Sequence, residues 1–258
     1  MKKKIGDKFE RLVEIMRRLR APKGCPWDRE QTPQSIAPYL LEETYETLEA
    51  IDSGNNKEIA EELGDLLLQV VFQAQMADEA KGFTIEDVID SICNKLIHRH
   101  PHVFGETKVK GIKDVLQNWE KLKKTEGKKT LLGGVPKTLP ALLKAFRLGQ
   151  KASRVGFDWQ DAEGVLEKVE EEARELHEAK KSGDIDEIEH EYGDLLLILA
   201  NLGRFLEIDP ETALRKATGR FMKRFQWMES EAERKKLELQ SLSAKEWDDL
   251  WNEAKKNT

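Results

Sequence analysis

Glu42-Glu43-Thr44-Tyr45-Glu46, then after a break Glu61-Glu62-Leu63-Gly64-Asp65, decides how this chain folds, because the same pattern returns 129 residues later. The second copy reads Glu171-Glu172-Ala173-Arg174-Glu175 and then Glu191-Tyr192-Gly193-Asp194. Between the halves of each copy lie Asp52-Ser53-Gly54-Asn55-Asn56 and Lys181-Ser182-Gly183-Asp184. A glycine among small polar residues, set between two helical patterns, stops one helix and turns the chain into the next. Each acidic pattern therefore belongs to a helical hairpin.

Counting from the turn puts the carboxylates level with one another. Glu46 lies eight residues before Gly54 and Glu62 eight after it, while Glu43 and Asp65 lie eleven away. Around Gly183 the counts repeat, with Glu175 and Glu191 at eight and Glu172 and Asp194 at eleven. These levels are roughly 12 and 16 Å from the turn, and i, i+3 spacing keeps each pair on one helix face. Four carboxylates are expected to converge in each copy: Glu43, Glu46, Glu62 and Asp65, then Glu172, Glu175, Glu191 and Asp194.

Converging carboxylates repel, and burial without a partner is costly, so the arrangement calls for a cation. Oxygen donors alone select a hard divalent ion, magnesium first and manganese second. Glu-rich helix faces are ordinarily just solvated; the mirrored, repeated set separates these residues from that background. Gly64 and Gly193 point the same way. Glycine inside a helix costs about 1 kcal/mol relative to alanine, and close helix approach or room for a ligand would explain both.

The repeat divides the 258 residues into two domains, 1–126 and 138–258, joined by a linker at 127–137 that contains Gly127, Gly133, Gly134 and Pro136. Leu, Glu, Lys and Ala dominate, 36% of residues are charged and β-branched runs are scarce, so the fold class is all-α. A net charge of −6 argues against duplex nucleic acid, whose binding rests on phosphate neutralisation by Lys and Arg. Cys25 and Cys93 have no paired spacing, Met1-Lys2-Lys3-Lys4-Ile5 leads into no apolar stretch, and no run approaches eighteen apolar residues. The expectation is a cytoplasmic protein with no membrane span.

Other elements repeat too. Phe9–Leu19 and Pro140–Leu148 read as amphipathic first helices, and Lys23–Asp28 and Val155–Trp159 as loops in which Trp27 and Trp159 anchor the core. Thr84-Ile85-Glu86-Asp87 and Asp209-Pro210-Glu211-Thr212 read as N-caps of a fourth helix. Aligned on these caps, Lys95 matches Arg220 and Arg99 matches Arg224. Cations at i, i+4 in both copies, beside a carboxylate hairpin, suit phosphate oxygens. Each copy ends in a short helix with a tryptophan and lysines, at Trp119 and Trp251, where a ring could stack on a nucleobase or pack the tail. His98, His100 and His102 lack the spacing of a zinc site. No P-loop, dinucleotide-binding turn or nucleophile elbow occurs.

With E-E-x-x-E, then E-x-x-D, then a basic fourth helix in tandem, and with GCPWD at 24–28, RHPHVFG at 99–105, NWE at 118–120 and VGFDW at 155–159, the sequence resembles the MazG family of nucleoside triphosphate pyrophosphohydrolases. The resemblance covers nearly the whole chain. It implies two tandem four-helix domains of the all-α NTP pyrophosphatase fold, a homodimer, and magnesium-dependent hydrolysis of NTPs and dNTPs of any base to monophosphate and pyrophosphate. It assigns the eight carboxylates above as metal ligands, and phosphate or nucleotide contacts to Lys95, Arg99, Lys124, Arg220, Arg224 and Trp251. Glu42 and Glu171, left free of metal, would serve as general bases. The departure is Arg220, where the family is expected to use lysine.

Three rivals remain. A di-iron bundle needs two Glu-x-x-His motifs, and only Glu187–His190 supplies one. A noncatalytic helical scaffold would bind nucleotide or protein without making monophosphate, and an inorganic pyrophosphatase or phosphatase would use the same metal site with different products.

Overall fold

The computed structural model describes residues 4–111, 114, 115, 118, 122 and 130–258, and among these every regular element is a helix. None is long and apolar enough to cross a membrane. Two compact units emerge, residues 1–123 and 124–258.

In the first unit, α1 (Ile5–Arg20), α3 (Ala37–Ser53), α4 (Asn56–Glu79) and α5 (Ile85–Arg99) are the main helices, with short helices α2 (Pro26–Glu30) and α6 (Pro101–Phe104) between or after them. The α3–α4 hairpin forms because Gly54 takes the left-handed conformation (φ 73°) at the end of α3, and Asn55 then caps α4 by accepting from the Lys57 amide at 3.1 Å. Met16, Ile36, Val71, Phe72, Ala74, Met76 and Ile85 make the core, with Phe9, Leu12, Val13, Leu68 and Val88 packed against it. Thr84 and Asp87 start α5 with a reciprocal capping box.

The second unit repeats the plan with α7 (Ala141–Ser153), α8 (Ala162–Ser182), α9 (Ile185–Phe205) and α10 (Pro210–Lys235), then a 3₁₀ turn (Leu239–Ser241) and α11 (Ala244–Asn257). Gly183 (φ 76°) and Asp184 rebuild the hairpin turn, Asp184 accepting from the Asp186 amide at 2.9 Å. Even the serine brace recurs: Ser53 donates to Glu58 at 3.2 Å and Ser182 to Glu187 at 3.0 Å. Asp209 caps α10 by accepting from the Thr212 amide at 2.8 Å. Met228, Leu250 and Ala254, with Trp247 and Trp251, bind α11 to α10.

Two expectations need correction. Residues 26–30 are a helix rather than part of a loop, started by Pro26, whose fixed φ suits a first helical position. Trp27 does not anchor the core; it is 53% exposed and meets Tyr39 edge-on with ring centroids 6.2 Å apart. Trp159 is half-buried beside Gly164. Trp119, Lys124 and residues 127–129 of the expected linker lie outside the described residues.

The left-handed turns carry a measurable energy. Gly54→Ala and Gly183→Ala should each lower stability by about 1 kcal/mol, since a side chain strains this conformation. Lys236 adopts the same conformation (φ 55°) at the end of α10 without being glycine. Lys236→Gly should therefore raise stability by about the same amount in urea titration.

Candidate functional site

The hairpin turns fix which side chains meet. In the first unit Glu43 and Glu46 lie one turn apart on α3 and Glu62 faces them from α4; each offers a carboxylate oxygen, all within 4.8 Å of one another. The second unit brings Glu172, Glu175 and Glu191 together to the same tolerance. Oxygens this close can share one cation at about 2.1–2.4 Å from each, so the donor set fits a hard divalent ion.

The fourth expected carboxylate stands beside each trio rather than within it. Asp65 is near enough that its charge helps push the Glu43 and Glu62 carboxyls above their ordinary pKa. For Glu43 the larger cause is burial, followed by Asp65 and Glu46, with Gln69 pulling the other way. For Glu62 partial desolvation leads, followed by Glu46 and Asp65. Asp194 has a different neighbour, His190, with Nε2 3.5 Å from its Oδ2.

Neighbours that the spacing argument missed complete each trio. Gln69, one turn beyond Asp65 on α4, donates from Nε2 to Glu43 Oε1 across a long 3.5 Å, and its own Oε1 and Thr47 Oγ1 are buried without hydrogen-bond partners. In the second unit Glu172 is only 4% exposed, and Lys168, one turn before it, places Nζ 2.7 Å from Glu172 Oε1 and 2.9 Å from Glu171 Oε1. Those carboxylates raise the Lys168 pKa, so it stays charged. The signal for Lys168 was its i, i+4 spacing to Glu172; for Gln69 it was i, i+7 spacing from Glu62.

Glu42 is exposed on α3, and Glu171 is exposed and ion-paired to Lys168. Glu171, Glu175, Glu187, His190 and Glu191 line an open groove of about 800 Å³. Lys95 and Arg220 are exposed and Arg99 half-buried. The Arg224 guanidinium sits 5.7 Å over the Trp251 ring, and its Nε is buried without a hydrogen-bond partner. Phe221, 55% exposed, adds a ring 5.5 Å from Trp251 and extends this aromatic surface beyond what the sequence suggested. Close helix approach does not explain Gly64 and Gly193: a Cβ on either would meet nothing within 4 Å.

Comparison with known proteins finds the same two-part organisation. Residues 31–104 match the family model for the MazG nucleotide pyrophosphohydrolase domain, and residues 142–220 match that for phosphoribosyl-ATP pyrophosphohydrolase. The chain is 52% identical over 256 residues to the nucleoside triphosphate pyrophosphohydrolase/pyrophosphatase MazG of Thermotoga maritima, covering 98% of both chains. The chain belongs to the MazG family. Its similarity to the nucleoside triphosphate pyrophosphohydrolase of Escherichia coli K12 is 40% over 257 residues, covering 97% of this chain and 98% of that one. A Bacillus subtilis protein, YabN, is 46% identical over 258 residues, with 98% of this MazG chain aligned to 53% of YabN.

Glu43 and Glu62 of this MazG protein's first unit, whose carboxyls are held above their ordinary pKa by desolvation and neighbouring carboxylates, weaken the fold at neutral pH. Folded pKa values raised above the unfolded ones give stability that is present at low pH and lost as pH rises through the folded value. Glu43→Gln should therefore melt higher than the parent at pH 7.5 in EDTA, and the gap should close on acidification to pH 4, read by circular dichroism.

Proposed function

We propose that the chain is a magnesium-dependent nucleoside triphosphate pyrophosphohydrolase, active on NTPs and dNTPs of any base and releasing monophosphate and pyrophosphate. Membership of the MazG family makes it a hydrolase of NTP anhydride bonds. The observation that carries the metal assignment is the meeting of three carboxylates from two helices, once in each unit. Manganese fits the same donors.

In this reading Glu43, Glu46 and Glu62, with Asp65 beside them, hold the ion in the first unit, and Glu172, Glu175 and Glu191, with Asp194, hold it in the second. Bound magnesium supplies neutralising charge for the triphosphate and makes water a better acid. The chain supplies the rest. Glu42 or Glu171 takes the proton from the water that attacks the α-phosphorus. Lys95, Arg99, Arg220, Arg224 and Lys124 offset phosphate and leaving pyrophosphate charge. Trp251, with Phe221, offers a face on which any base can stack, which supports broad base range.

The substrate is a free nucleotide rather than duplex nucleic acid, and the enzyme acts in the cytoplasm. Ile89, Ile92, Leu96 and Ile97 leave an apolar side of α5 exposed, supporting a homodimer.

Product analysis tests the reaction: ATP should give AMP and pyrophosphate, GTP, CTP, UTP and the deoxynucleotides should follow, and EDTA should stop turnover. ADP and phosphate as products would refute it. Joint Glu43→Gln and Glu172→Gln substitution should lower kcat by at least about a thousandfold, and an active double variant would remove the carboxylates from the mechanism.

A further inference from the structure

The two carboxylate trios are copies in backbone but not in surroundings. At the offset of 129 residues, Tyr39, Thr47 and Gln69 of the first unit become Lys168, Leu176 and Ile198 of the second. Around the first trio the substituted positions are neutral: Gln69 reaches Glu43 only at 3.5 Å, and Thr47 Oγ1 and Gln69 Oε1 are buried without partners. At the second, hydrocarbon replaces both polar groups, and an ammonium stands 2.7 Å from Glu172 Oε1 and 2.9 Å from Glu171 Oε1.

That ammonium does what a metal ion would do. A buried carboxylate needs compensating charge, and Lys168 provides it for Glu172. A divalent ion ligated by Glu172 would sit within a few ångströms of Nζ, where like charges repel strongly. The lysine must then withdraw, and it can: its side chain is 32% exposed and sits on a flexible four-carbon stem. Among the described residues no cation has to leave Glu43, so an ion entering the first trio relieves repulsion.

We propose that Lys168 is a built-in counter-ion that a metal must displace, so that the chain carries two unequal divalent-cation sites: a tighter one on Glu43, Glu46 and Glu62 and a weaker one on Glu172, Glu175 and Glu191. This rests on the reading above that the trios take a hard divalent ion. Its consequence is staged loading. At limiting free metal the first unit fills, and the second responds to metal concentration over a higher range.

Mn2+ binding to the full chain, followed by calorimetry and by electron paramagnetic resonance of free Mn2+, tests this without an activity readout. Joint Glu46→Gln and Glu62→Gln substitution isolates the second trio, and joint Glu175→Gln and Glu191→Gln isolates the first. The first should bind about tenfold more tightly, the worth of one charge-assisted contact. Lys168→Met keeps the stem, removes the charge and should tighten the second trio by about that factor, whereas Lys168→Arg should leave it weak. Tyr39→Lys should weaken the first trio. Equal affinities in the parent chain, or a second trio that Lys168→Met leaves unchanged or weakens, would overturn the counter-ion while sparing the metal assignment. Absence of Mn2+ binding from every form would overturn both.

Discussion

Like charges held level across a helical hairpin are the constraint from which the rest of each unit follows. Carboxylates on two antiparallel helices meet only if the turn between the helices fixes both their height and their rotation. One residue more or less would rotate the following helix by about 100° and carry Glu62 or Glu191 off the shared face. The turns are accordingly built from several agreeing parts: a left-handed glycine, an Asn or Asp cap on the next helix, and a serine that reaches the glutamate three residues beyond that cap. Satisfying the backbone at helix ends thus also sets the geometry of the site.

Holding repelling groups together requires that the hairpin be fastened elsewhere, and the units do this with different residues. In the first, Arg20 at the end of α1 bonds Glu79 of α4 through Nε at 2.9 Å and Nη2 at 2.8 Å, also donates to the Asp28 carbonyl, and covers the Phe72 ring. In the second, the arginine comes from the hairpin itself: Arg204 of α9 pairs with Asp158 and covers Phe205. Both guanidiniums are nearly buried. The Arg20 hydrogen bonds hold the Glu79 pKa down, so that pair stabilises the fold at neutral pH and fades on acidification through the lowered value. Glu43 and Glu62 of the first unit, with pKa raised instead, have the opposite pH dependence.

What the sequence made legible is what depends on helix period and turn chemistry. Gly54 and Gly183 mark the turns, and counting from them picks out Glu43, Glu46, Glu62 and their copies from spacing alone. Thr84 and Asp209 were readable as caps because a cap is a local bond between a short side chain and an amide three residues on. Other features depend on which way a long side chain turns or how much of a ring is covered, and spacing does not encode those. Trp27 is exposed because α2 carries it toward Tyr39 rather than into the core. By spacing Lys168 is one more charge on a Glu-rich helix, and only the placement of its Nζ against a buried carboxylate sets it apart. Gly64 and Gly193 showed the same limit: a costly glycine announces that something needs the space, and only the structure shows that no packed helix fills it.

The acidic character of the chain bears on how it could handle a triphosphate. With a formal charge of −6 overall and carboxylates gathered in each hairpin, the far field repels a polyanion. Attraction must then come from short-range cations, and the two units supply them differently. Under the proposed reading, a divalent ion on Glu43, Glu46 and Glu62 with Asp65 nearby still leaves that cluster with excess negative charge, so the basic end of α5, at Lys95 and Arg99, has to balance substrate as well as site. In the second unit Lys168 already offsets one carboxylate, and Arg224 is held over the Trp251 ring rather than free in solvent. A cation fixed against an aromatic face loses little freedom when an anion arrives. The second unit is thus better prepared for the phosphate chain and the first for the metal ion, a difference that follows from side chains placed on nearly identical backbones.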